Sequence, residues 1–183
     1  MSNALSKIFA ALLAVVLLYL VPAVQSAQRE EDYRALAAYN TLVRFADAVR
    51  NKGYLSPGMY TEFVTELGAP GGEYKIELEH RHKKYHPEYS DPSDPGSFLN
   101  RFSIHYEAYY EHDILPLLFP EQASAGVSGD LRYEMEIGDY FTVTITGLER
   151  TPITVLNELL YGAAKPGGWN VLNYGGMVLN EDY

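Results

Sequence analysis

The residues with the most chemistry to offer are His80, His82 and His86, set in the run Glu79-His80-Arg81-His82-Lys83-Lys84-Tyr85-His86. Alternate side chains of a strand share one face, so His-x-His on a strand presents two imidazoles together, as a pair of metal ligands from one strand requires. His86, His105 or Glu107 would supply the third donor. Against this, Arg81, Lys83 and Lys84 surround the pair with charge that opposes a dication, and His86 falls beyond the strand pattern in loop sequence. Two other readings stand beside the metal site: a polar cluster at a strand end, and a binding patch. The expectation is no metal and no cofactor, with His80, His82 and His86 as the candidate ligands if one is held.

Other chemistries find less support. The chain has no cysteine, which excludes thiolate zinc sites, cysteine nucleophiles and disulfide exchange. Gly126-Val127-Ser128-Gly129 lacks the G-x-S-x-G spacing of a nucleophile elbow, and neither G-x-G-x-x-G nor a Walker loop is present. Spacing does not select Glu107 with Glu111, or Asp113, as an acid/base pair from among 24 acidic residues. Asp91 and Asp94 lack the terminal glutamate of an EF-hand. No catalytic residue is assigned, and an enzyme is not expected.

The elements that position these side chains follow from periodicity. Tyr74, Ile76, Leu78, His80 and His82 alternate with Glu73, Lys75, Glu77, Glu79 and Arg81, which predicts a half-buried strand with one charged face. Asp91-Pro92 and Asp94-Pro95-Gly96 mark residues 85–97 as a surface loop. Phe102, Ile104, Tyr106 and Ala108 then predict a second strand, pairing antiparallel with the first. A short helix is expected over residues 113–119, a loop over 121–130, a strand over 139–146, a helix from Thr151 to Gly162, and a last strand over 169–179 broken at Gly175-Gly176.

Upstream, Ser56-Pro57 reads as an N-cap and first-turn proline of a helix closed by Gly68. Before it, Tyr33, Leu36, Tyr39, Leu42, Val43, Ala46 and Val49 recur at helical spacing, predicting an amphipathic helix over residues 28–51 that ends near Gly53. The class is α+β: a hydrophobic helix continuing into an amphipathic one, packed on a small, mostly antiparallel sheet with short connecting helices.

Residues 8–24 are uncharged. At a rise of ~1.5 Å per residue they span roughly 25 Å, a little under a hydrocarbon core of about 30 Å. Lys7 on one side and Glu30, Glu31 and Asp32 on the other favour a cytoplasmic N-terminus and an extracytoplasmic body, single-pass in the cell membrane. The alternative is a signal peptide removed near Ser26 or Ala27, leaving a secreted protein. Cleavage after Ser26 puts Val24 at the minus-three position, and cleavage after Ala27 puts bulky Gln25 there. The apolar run also exceeds the usual h-region of about 7 to 15 residues, which favours an anchor. Pro22 predicts a kink or break near residues 18–22.

Two parts result: residues 1–27 as anchor or signal, and residues 28–183 as one extracytoplasmic α+β domain, long enough to bury a core without staples. The whole chain carries a formal charge of −10, and with Lys7 set aside the domain has 13 basic against 24 acidic residues. That field repels polyanions, so nucleic acid is not an expected partner. The 16 tyrosines, clustered at Tyr106, Tyr109 and Tyr110 and flanking the proline loop at Tyr85 and Tyr89, serve either as sheet-surface filler or as a protein contact surface.

Several of these segments together resemble a known group. The apolar helix, its continuation through Phe45-Ala46-Asp47-Ala48-Val49-Arg50-Asn51-Lys52-Gly53-Tyr54, the Gly53-Tyr54-Leu55-Ser56 turn, the strand from Tyr74 to His82 with Lys83-Lys84-Tyr85, and the closing Tyr174-Gly175-Gly176-Met177-Val178-Leu179 look like segments of the pilin-like and pseudopilin-like membrane proteins of tight-adherence (Tad) type pilus loci in clostridia and their relatives. A prepilin also carries a glutamate early in its mature apolar segment, whereas here no acidic residue precedes Glu30. The resemblance therefore implies a membrane-held accessory subunit of a pilus or secretion assembly rather than a major pilin. Its expected partners are the lipid bilayer, through residues 8–24, and other envelope assembly subunits. The alternative is a secreted or tethered binding protein that takes a ligand or metal near His80 and His82.

Overall fold

A single helix, α1 (Ser2–Lys52), joins the apolar and amphipathic segments. The computed structural model of the chain describes residues 2–69, 72–120, 131–148, 162 and 171–182. Of the kink or break expected near Pro22, the break does not occur, since Pro22 lies inside one helix. The buried face of α1 is Ala38, Thr41, Leu42, Phe45, Ala46 and Val49. Tyr33 and Leu36, expected on that face, stand exposed because the body begins to cover the helix only at Ala38, and Tyr39 lies at the margin of that cover, partly exposed and edge-on to Tyr174. About 54 Å of helix therefore lies clear of the core, counting residues 2–37 at ~1.5 Å each. Gly53 closes α1, its N–H donating to the Val49 carbonyl at 2.8 Å.

A two-residue strand, β1 (Tyr54–Leu55), leads into α2 (Pro57–Gly68), where Ser56 Oγ accepts from the Met59 N–H at 3.3 Å as an N-cap should. The remaining elements are β2 (Tyr74–Tyr89), β3 (Phe98–Tyr110), α3 (Glu111–Leu118), β4 (Tyr133–Glu134), β5 (Tyr140–Gly147) and β6 (Val171–Met177). One antiparallel sheet has the order β3-β2-β5-β6, and β1 pairs separately with β4. The expected loop at 121–130, the helix from Thr151 to Gly162 and the start of the last strand at Trp169 fall on residues outside those described, Gly162 apart.

The sheet turns Leu78, Phe141, Val143 and Ile145 onto α1, with Phe63, Leu67, Ile114, Leu118, Met135 and Val178 completing the core. Phe45 sits at its centre, stacked on Phe63 with ring centroids 4.1 Å apart and edge-on to Phe141. Gly175-Gly176 does not break β6. A Cβ on Gly176 would lie 2.8 Å from the Arg50 guanidinium, and one on Gly175 would lie 2.3 Å from the Phe141 carbonyl oxygen. These glycines admit close packing of the strand against β5 and the end of α1.

The second departure is the length of β2. Residues 85–89, expected as loop, remain in the strand and pair with β3, Tyr85 opposite Ile104 and Pro87 opposite Phe102. Proline is tolerated there because β5 pairs β2 only from Tyr74 to Arg81, so beyond Arg81 one edge of the strand needs no ladder donor. Arg81 is level with Tyr140, Tyr140 with Met177, and the Met177 carbonyl with Arg50 near the end of α1. Residues 82–89 and their β3 partners accordingly form a two-stranded arm that runs on past the C-terminal end of α1, opposite the apolar handle.

Candidate functional site

The strand period places His80 and His82 on the α1-facing side of β2, at the point where β5 ends and the arm begins. There the turn before β5 brings in a partner 59 residues away from His80. Gly138, at φ 95°, lets the chain reverse so that Asp139 points back at the strand. The Asp139 carboxylate is buried. It accepts from the Lys83 N–H at 2.8 Å, the Glu136 N–H at 3.0 Å, His80 Nε2 at 2.8 Å and His82 Nδ1 at 3.1 Å.

His80 is held at both ring nitrogens. Because the ionised carboxylate only accepts, Nε2 carries the proton toward Asp139, and Nδ1 accepts from the Tyr133 hydroxyl at 2.7 Å. Tyr109 stacks on the same imidazole, ring centroids 5.7 Å apart. Burial lowers the His80 pKa below the usual 6.5 against the opposing pull of Asp139, so the ring is neutral at pH 7. Burial acts to raise the Asp139 carboxyl, but the Lys83 N–H, His82, His80 and the Glu136 N–H together outweigh it and hold the group below 3.8. Burial, reinforced by the charges of Asp113 and Asp139, raises the Tyr133 phenol well above its ordinary value, so it stays protonated.

The cluster borders a concavity of about 440 Å³ lined by Tyr109, Asp113, Leu117, Glu134 and Glu136 as well. The neighbouring cations expected to oppose a dication are each turned elsewhere. Arg81 pairs with Glu79 at 2.8 Å, Lys83 Nζ lies 4.8 Å from the centre of the Tyr85 ring, and Lys84 pairs with Glu107.

His86 does not join His80 and His82. It lies out on the arm, edge-on to His105 with centroids 4.9 Å apart. Glu107 and Glu111 do not form a pair either: Glu111 is raised by burial and then by Glu77 rather than by Glu107, and Asp113 accepts from the Tyr110 N–H at 3.0 Å at the start of α3. Sequence reasoning missed Asp139 and Tyr133. The nearest signal was Gly138-Asp139 just ahead of a β-rich run, a turn that delivers a carboxylate to a sheet edge.

No family model, curated protein or solved structure matches this chain. What it has in common with pilin-like proteins is architecture, a long N-terminal apolar helix packed on an antiparallel sheet. The link to tight-adherence loci has only the sequence resemblance behind it. α1 contains a stretch long and apolar enough to cross a membrane, none of it buried against the body.

Proposed function

We propose that the protein is a membrane-anchored, non-catalytic accessory subunit of pilin-like build in a cell-envelope pilus or secretion assembly. Helical continuity carries the reading: the apolar handle and the core-forming segment are one helix, α1, so a load on the body passes to the membrane without an intervening flexible linker. Two exposed features supply surfaces for neighbouring subunits. Tyr33 and Leu36 line the bare stretch of α1, and Tyr85, Phe98, Phe102, Ile104 and Tyr106 line one face of the arm at the far end. An isolated two-stranded ribbon is marginal in water, and aromatic faces of this kind are the usual anchors of protein contacts.

The body stands outside the cell in this reading, with residues 8–24 in the bilayer. The test is to fractionate cells expressing the full chain and determine its N-terminus by mass spectrometry. An uncleaved N-terminus in a membrane fraction that resists carbonate extraction is expected. A chain beginning at Ala27 or Gln28 and recovered from the medium would overturn the anchored reading.

A further inference from the structure

The geometry points to a divalent transition-metal site formed by His80 Nε2, His82 Nδ1 and an oxygen of Asp139, with Tyr133 behind it. One ligand atom from each of these residues lies within 4.8 Å of the others, and among the described residues they form the one such cluster. With metal–ligand bonds of about 2.0–2.2 Å, tetrahedrally disposed ligand atoms stand roughly 3.3–3.6 Å apart, so the tripod has to close by no more than about 1.5 Å. Two imidazoles and one carboxylate suit zinc or iron(II) rather than calcium or magnesium, which prefer all-oxygen shells.

The surroundings match the needs of such a site in three respects. The carboxylate is already ionised and aimed by two backbone N–H groups, Lys83 to Oδ1 and Glu136 to Oδ2. Tyr133 can serve both states of His80. Without metal its hydroxyl donates to Nδ1; with metal on Nε2 the imidazole proton moves to Nδ1 and the same hydroxyl accepts it, the outer-shell partner that orients a ligating histidine. Finally, Glu134, Glu136 and Asp113 line the adjoining concavity, which leaves room for water or a further ligand on the metal's open positions. The proposal is independent of membrane anchoring: a secreted or an anchored chain would carry the same tripod.

The test is titration of the untagged, full-length protein in detergent with Zn²⁺ against a competing chelator, and with Co²⁺ read by its visible absorption. One ion per chain is expected, with a tetrahedral or five-coordinate cobalt spectrum. His82 is the partly exposed ligand, and His82→Gln leaves the His80–Asp139 contact in place, so this variant should stay folded while losing at least about 100-fold in affinity; Tyr133→Phe should lose about 10-fold. Circular dichroism verifies the fold of each variant. Absence of stoichiometric binding would overturn the proposal, as would wild-type affinity in folded His82→Gln or a loss that follows His86→Ala instead.

Discussion

Two histidine pairs lie on the same strand pairing, and only one of them meets a buried carboxylate. His86 and His105 face each other across the arm with ring centroids 4.9 Å apart, closer than His80 and His82 at 6.1 Å. Yet both arm histidines are exposed, and the polar contact of His105 is a long one, 3.4 Å to Ser103 Oγ. The inner pair converges on one buried carboxylate brought from another element, with each His80 nitrogen satisfied. Imidazole proximity therefore counts for less than a third group that burial has made unable to turn to water.

The largest loss is expected at that third group. Asp139→Ala removes the acceptor for two backbone N–H groups and two imidazoles, leaving buried donors without partners. The expected loss is about 3 kcal/mol of unfolding free energy, read as a lowered urea midpoint of the full chain in detergent. An unchanged midpoint would mean that the cluster is not holding β2 to the turn before β5.

Acid should separate the two pairs next. His80 is held below its ordinary 6.5, chiefly by burial, so the unfolded chain takes up a proton as pH falls through about 6.5 while the folded chain does not. The unfolded state then binds more protons, and the metal-free protein loses stability as pH drops from 6.5 toward the folded value. Asp139 adds to this at lower pH: its contribution is complete above 3.8 and is lost as pH falls through its depressed folded value. The groups facing His80 are Asp139, His82, Tyr133 and Tyr109, with Asp113 beyond. Urea midpoints measured on either side of pH 6.5 decide the matter, and a flat profile would contradict a buried neutral imidazole.

How far this could be read in advance differs between the two halves of the site. His80 and His82 were legible because a period of two is local information, and the same is true of α1, the Ser56 cap and the α+β class. Asp139 was not, since nothing near residue 80 announces a carboxylate 57 to 59 residues downstream. The arm was misread for a related reason: Pro87 and the Asp-Pro turns signal loop locally, and only the early end of β5 makes an edge where proline fits. Gly175-Gly176 likewise looked like a break until Arg50 and Phe141 filled the space that side chains would have taken.

A smaller effect is expected at Tyr133. Replacing it by Phe removes one hydrogen bond to His80 Nδ1 while keeping the ring that packs against the imidazole, a loss of about 1 kcal/mol. If Tyr133→Phe proved as damaging as Asp139→Ala, the imidazole would depend on its hydroxyl partner as much as on its carboxylate, and Asp139 would not be the group that holds the cluster together.

The arm pair supplies the smallest effect. His86→Ala and His105→Ala, singly or together, remove rings that touch mainly each other and solvent, so the urea midpoint should stay within the error of its measurement. Their strands keep their register through the backbone ladder and through the salt bridges Lys84–Glu107 and Arg101–Glu88, none of which involves either imidazole. A large destabilisation by the double substitution would mean that the arm folds around its histidines. The distinction between a buried, carboxylate-anchored pair and a surface pair would then fail as a guide to which histidines in this chain do chemical work.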